Sequence, residues 1–201
     1  MNTALAVDPR LPRRRLDVHD YHRMGEAGIL TEDDRVELID GEIIETTPIG
    51  DPHVELVIVL TARLTAAIGS RAAVSVQNPI RLSDHTEPRP DLAVLRPDRR
   101  PGVPLAADTL LVIEVAESSL AYDRDTKVPR FARAGIPETW SIDVGAGALV
   151  RYRDPSGDGY RDRDVPDLSR AVPLHGLPDV EIDLAGLFVP VPDGSAVTGR
   201  S

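Results

Sequence analysis

Two short apolar runs, each carrying a carboxylate, constrain this chain more than any other feature. Glu87-Pro88-Arg89-Pro90-Asp91 leads into Leu92-Ala93-Val94, and Glu114 interrupts the run from Leu111-Val112-Ile113 to Val115-Ala116. Runs of this length, bounded by Pro and charge, read as strands buried on both faces. A buried strand accepts an acid only with a compensating partner, because an unpaired buried carboxylate is very costly. Glu114 therefore calls for a cation, an Arg, a Lys or a proton. Two such acids on neighbouring strands make a small cage of oxygen donors suited to a hard divalent ion, Mg²⁺ or Mn²⁺. That arrangement is nuclease-like, since a metal so held activates water and neutralises charge building on a phosphate.

Composition narrows the class. At 201 residues the chain suits a single domain with a sizeable core. Aromatic residues make up only 3%, so that core must rest on Val, Leu, Ile and Ala. The absence of Cys removes disulfides, thiolate metal sites and cysteine nucleophiles together. No apolar run suggests a membrane span, and the arginines near the N-terminus precede no secretion-type apolar stretch. A cytoplasmic protein without a membrane partner is the expectation. A net charge of −10 argues mildly against a broad nucleic-acid surface. Arg13 to Arg15, and Arg96, Arg99 and Arg100, are the candidate basic patches, with solvated surface the equal alternative.

Along the chain, residues 1–15 read as a flexible lead-in, 16–190 as one domain and 191–201 as a disordered tail. Asp17 caps a short first helix ending near Gly28. Asp40-Gly41 between two β-branched runs predicts a hairpin over 35–45. The clearest helix covers 52–68, with Val57, Leu60, Leu64 and Ile68 on one stripe and Gly69 as its stop. Residues 72–82 are a strand candidate that, given Pro79, bends or runs along an edge, and 96–107 are a loop. A second helix is expected over 126–134, starting near Asp125 or Thr126 because Pro129 fits only a first turn. Residues 139–144 and 148–153 pair as strands, and 183–188 form one helical turn. This order gives an α/β (α+β) core: a central mixed β-sheet flanked by helices, with an N-terminal helix and β-hairpin.

Metal-assisted phosphodiester chemistry also needs a cation or base beside the attacking water, and Lys127 is the candidate. A lysine at a helix start opposes the helix dipole, which suggests a purpose other than helix stability. Glu37 is a candidate further acid, because the hairpin gains little from a carboxylate there. His53 and Gln77 are weaker candidates for substrate or phosphate contact, competing with capping, packing or half-buried strand roles. Ser118 and Ser119 compete in the same way with turn hydrogen bonding. Asp123 and Asp125 read as caps of the second helix. Tyr21, Phe131 and Trp140 read as core.

Taken in order, Pro90-Asp91, Glu114-Val115, Asp123 with Lys127, and Ala134-Gly135-Ile136-Pro137-Glu138-Thr139-Trp140 resemble the Uma2 family (DUF820). That family is a branch of the PD-(D/E)xK restriction-endonuclease-like superfamily. Glu37-Leu38-Ile39-Asp40-Gly41-Glu42 and His53 resemble its N-terminal part, so the likeness runs from about Asp17 to Arg153 and more loosely to Phe188. It implies a restriction-endonuclease-like core, Mg²⁺-dependent hydrolysis of nucleic acid (DNA before RNA) and a homodimer. By position it makes Asp91 and Glu114 the metal-binding acids, Glu37 an additional acid, and Lys127 the motif lysine moved from strand to helix. The usual slot, two residues after the second acid, holds Ala116. A catalytically weak or inactive nuclease-fold protein, acting as a nucleic-acid-binding or regulatory module, is the alternative that Ala116 and the net acidity favour. A glycosidase-type carboxylate pair is a third reading, opposed by the scarcity of aromatics.

Overall fold

The computed structural model describes residues 12–188 apart from 32, 47–49, 118 and 158. The tail expected over 191–201, most of the lead-in and Ser118 thus lie outside the described residues.

Six strands form the central sheet in the order β3-β4-β5-β6-β7-β8. They are β3 (Ala73–Val76), β4 (Leu92–Leu95), β5 (Thr109–Ala116), β6 (Glu138–Asp143), β7 (Ala148–Ser156) and β8 (Gly159–Asp164). Every neighbouring pair is antiparallel except β5 and β6. A parallel pair needs a crossover connection, and the helical stretch from Leu120 to Arg133 supplies it. The sheet is mixed for that reason. Both β4 and β5 are buried along their whole length, as their mainly aliphatic composition favours, with Thr109 and Glu114 the polar residues of β5.

Two layers cover the sheet. On one face lies α2 (Asp51–Ile68), whose buried stripe of Leu56, Val57, Leu60, Leu64 and Ile68 meets Leu92, Val94, Leu111, Ile113 and Trp140. The short hairpin of β9 (Val172–Leu174) and β10 (Leu177–Ile182) closes the same core through Val172, Leu174, Val180 and Ile182. On the other face Phe131 and Ile136 pack with Ile80, Ala93, Leu95 and Val112. The alternation along β4 and β5, one residue to each face, follows from the period-two geometry of a strand. Glu114 shares parity with Val112 and so belongs to the Phe131 face.

The N-terminal part is α1 (Val18–Glu26), capped by the Asp17 side chain, followed by the hairpin β1 (Val36–Ile39) and β2 (Glu42–Glu45). Asp40 and Gly41 both take positive φ, 50° and 81°, as the tight primed turn demands. The hairpin is stitched to the strap before β4: Glu87 N–H donates to Leu38 O at 2.8 Å and Gly41 N–H to His85 O at 2.7 Å. Residues 185–188 form a turn closed by Leu187 N–H to Leu184 O at 3.1 Å.

Two expectations change. The second helix is a longer composite: α3 (Leu120–Tyr122), a π-helical turn (Asp123–Lys127) and α4 (Val128–Arg133). Pro129 does sit in the first turn of a regular α-helix, but that helix begins at Val128 and not at 125 or 126. Upstream of it, Val128 N–H reaches back five residues to Asp123 O. A proline ring inside continuous α-helix would clash with the carbonyl four residues back, and the widened turn accommodates it. Second, α2 is long and apolar enough, by length and composition, to cross a membrane, contrary to the reading of the sequence. In the fold it is a core helix seated on the sheet, with its inner stripe at most 7% exposed.

Leu60 and Leu64 are fully buried at the centre of that stripe. Leu64→Ala is expected to cost about 2–5 kcal/mol through lost transfer energy plus a residual cavity. Urea unfolding would check this, and a loss below about 1 kcal/mol would contradict the packing just described.

Candidate active site

Register explains how the two strand acids meet. Leu92 pairs with Ile113 across the antiparallel β4–β5 ladder, so continuing by one residue sets Asp91 opposite Glu114. Opposed residues of an antiparallel pair share a face. Asp91 is fixed from two directions: Oδ2 accepts from Val115 N–H at 2.8 Å, and Oδ1 lies 2.9 Å from His53 Nε2 at the start of α2. Glu37 arrives from β1, with Oε1 accepting Arg89 N–H at 2.9 Å.

Lys127 enters from the composite helix. Its Nζ stands 2.8 Å from Glu114 Oε1, 3.2 Å from Glu37 Oε1 and 4.0 Å from Asp123 Oδ1. These groups are nearly sealed: Glu37 is 3% exposed, Glu114 2%, Asp123 5% and Lys127 4%. Lys127 is buried, and it stands directly before the first residue of α4. It closes the π turn, and the altered winding there sets the direction of its side chain. Asp123 is not a helix cap; it accepts from Ser119 Oγ at 2.6 Å and faces the lysine. Asp125 is exposed and pairs with its neighbour Arg124.

A cleft of about 630 Å³ opens onto this cluster. Gln77 lines it, exposed and in a left-handed conformation with φ 51°, its N–H donating to Asp91 O at 3.0 Å. Its main chain positions Asp91, which the strand reading did not foresee. His53 lines the same cleft, but its Nε2 is already engaged with Asp91. Arg13 and Arg14 pair with Glu42 and Asp20, while Arg96 and Arg99 bond to main-chain carbonyls. None of these arginines lines the cleft. Arg35, Arg89, Glu117 and Tyr122 do line it and were missed. The signal for Arg35 and Arg89 was present: each precedes a site acid by two residues.

The electrostatics are dominated by burial. Burial pushes the Glu114 carboxyl well above the usual carboxylate range; Lys127 pulls it down, while Asp123, Asp91 and Glu37 add to the rise. Asp123 is raised for the same first reason, against Lys127 and Ser119. For Lys127 burial acts downward, but Glu114, Glu37 and Asp123 outweigh it and hold the ammonium above the ordinary lysine value. Lys127 is thus a permanent cation, suited to steadying negative charge and unsuited to accepting a proton. Burial, with Glu37 next, pushes the Tyr122 hydroxyl up to about 12, so it stays a neutral group.

One ammonium does not neutralise Glu37, Asp91, Glu114 and Asp123. Glu37 Oε2 is buried without a hydrogen bond, and Glu114 Oε1 has the Lys127 ammonium at 2.8 Å. Oxygen donors short of counter-charge fit a hard divalent ion. Among the described residues no three His, Asp or Glu side chains already converge as a closed cage. Asp91 and Glu114 would hold such an ion with much of its shell left to water, as Mg²⁺ commonly requires.

A mixed sheet with acids at the ends of two central strands and a helix-borne lysine defines a nuclease-like fold. The Uma2 family model, described as "Putative restriction endonuclease", matches residues 18–185. The chain belongs to the Uma2 family. A solved structure described as "a putative nuclease belonging to DUF820 from Anabaena variabilis ATCC 29413" is similar, with 17% identity and a TM-score of 0.67. The likeness covers 86% of this chain and 97% of that one. No functionally curated protein matches the chain.

Two stability outcomes follow from the charge cluster. Lys127→Ala leaves buried carboxylates without their ammonium and is expected to cost about 3–5 kcal/mol; denaturant melts showing less than about 1 kcal/mol would contradict the pairing. Glu114 has its folded pKa raised above the model value of 4.5. The folded state therefore binds the extra proton, and this favourable contribution is full below pH 4.5 and lost as pH rises through the folded pKa. Glu114→Gln is expected to melt higher than wild type at pH 8, by roughly 2–4 °C for each kcal/mol gained. That advantage should vanish below pH 4.5. A Gln variant that melts lower at pH 8 would show Lys127 to outweigh desolvation.

Proposed function

We propose that this protein is a divalent-metal-dependent endonuclease hydrolysing phosphodiester bonds of nucleic acid, with DNA the first candidate substrate. The observation that carries the reading is the meeting of Lys127 Nζ with Glu114 at 2.8 Å and Glu37 at 3.2 Å, beside an Asp91 held at the adjoining strand end. A lysine displaced from the usual slot, now Ala116, reaches the site by way of the π turn. When bound, Mg²⁺ or Mn²⁺ would supply charge neutralisation at the phosphate and a more acidic water. Asp91 and Glu114 are the residues that would bind it, and His53 orients Asp91 through Oδ1. Lys127, always protonated, orients a water or steadies the negative charge gathering on the phosphoryl oxygens. Glu37 holds the ammonium in place and fixes the Arg89 main chain. A cytoplasmic setting and a two-fold dimer, which cutting both strands would favour, belong to the same reading.

Plasmid incubated with Mg²⁺ or Mn²⁺ should be cut by wild type, and Asp91→Asn and Lys127→Ala should each lose roughly a thousandfold, several kcal/mol of charge stabilisation. Equal cutting by all three proteins would mean that the nuclease is a contaminant. Mg²⁺ at about a hundredfold over its Kd should also stabilise wild type by about 2.7 kcal/mol, and Asp91→Asn by much less.

A second reading rests on the absence, among the described residues, of a closed cage and on a lysine already satisfied by acids. The protein would then be a nucleic-acid-binding or regulatory module. It predicts salt-sensitive binding without metal and no cleavage under any metal.

A further inference from the structure

We infer that Arg35 and Arg89 form a two-point grip on the nucleic-acid backbone, holding phosphates beside the one that is cut. The inference rests on the nuclease reading above and names how its substrate is held. Two of the three acids that enter the cluster from extended segments have an arginine two residues earlier, in Arg35-Val36-Glu37 and Arg89-Pro90-Asp91, while Glu114 has Val112 there. In extended chain, residues two apart lie on one side. Both arginines accordingly line the cleft that holds the acids.

Their availability is the second observation. Both are exposed, and with the described residues neither guanidinium makes a hydrogen bond or an ion pair. Lys127, the remaining Lys or Arg of the cleft wall, is occupied by Glu114 and Glu37. The wall also carries Glu45 and Glu117. A polyanion entering a cleft of that charge meets repulsion unless cations outside the acid cluster receive it. Guanidinium is the group whose fork matches a phosphate with two parallel hydrogen bonds.

The main chain beneath each arginine is fixed in advance. Arg89 lies between Pro88 and Pro90, and the residue before a proline is held to extended conformation. Its N–H donates to Glu37 Oε1 at 2.9 Å, while Pro88 O accepts from Ile80 N–H at 2.9 Å and Asp91 O from Gln77 N–H at 3.0 Å. Arg35 O accepts Thr46 N–H at 2.8 Å across the hairpin mouth. Ordering of the backbone is therefore complete before substrate arrives, which lowers what binding must cost.

The test is fluorescence anisotropy of a labelled 20-base-pair DNA duplex (an arbitrary probe length of about two helical turns) in EDTA over a KCl series. Wild type, Arg35→Ala, Arg89→Ala and Arg89→Lys are compared as full chains, with thermal melts confirming that each is folded. Each Ala variant should raise Kd about tenfold and flatten the slope of log Kd against log salt by about one, the mark of one lost phosphate contact. Arg89→Lys should restore the slope but only part of the affinity, since it keeps the charge and loses the fork. Unchanged Kd and slope in both Ala variants, with cleavage intact, would overturn the grip and leave the nuclease standing. Wild type that neither binds nor cuts the duplex would remove the nuclease reading, and the grip with it.

Discussion

The buried ammonium of Lys127 is the interaction on which the rest of the site depends. Glu37, Glu114 and Asp123 come from a hairpin, a central strand and a helix, and they meet only because one cation lies among them. Taking these groups out of water costs several kcal/mol per ion after relaxation. The lysine returns part of that, and the unbonded Oε2 of Glu37 shows that it does not return all. On the proposed reading, stability and function are opposed here. A neutral cluster would fold more firmly but would have no deficit for a metal or a phosphate to answer.

The scaffold supplies that cluster with rigid placement. Asp91, directly before β4, and Glu114, within β5, are placed by the most buried strands of the sheet, where register admits one alignment because a slip by one residue would turn every side chain to the wrong face. Both faces of those strands are covered, by α2 and by α4, which leaves the cleft as the route by which solvent reaches the acids. The π turn is an irregular part, and irregular helical turns of this kind recur at functional sites. Pro129 accounts for that irregularity, since a regular α-helix continued upstream of Val128 would bring the carbonyl four residues back against the ring.

Much of this was legible from sequence. Glu114 inside an aliphatic run demanded a partner, Asp40-Gly41 gave the hairpin, and the stripe from Val57 to Ile68 gave the core helix. What escaped did so for physical reasons. Asp123 looked like a cap because helix propensity treats Asp before a helix as a terminus, whereas here the helix starts earlier and the acid is turned inward. The start of the helical stretch was misplaced because Pro129 was read against α-helical rules alone, with no place for a π turn. His53 was weighed between phosphate contact and capping or packing, and its partner Asp91 lies 38 positions away, so only the fold pairs them. The arginines two residues before Glu37 and Asp91 were overlooked in favour of denser basic runs, which the fold places away from the cleft.

Mn²⁺ soaked into crystals of the wild-type protein, located by its anomalous scattering, addresses the central claim most directly. The account predicts one strong peak coordinated by Asp91 and Glu114, with Lys127 displaced from Glu114 but still beside Glu37. No peak at those oxygens, with the lysine still paired to Glu114 at high Mn²⁺, would contradict it.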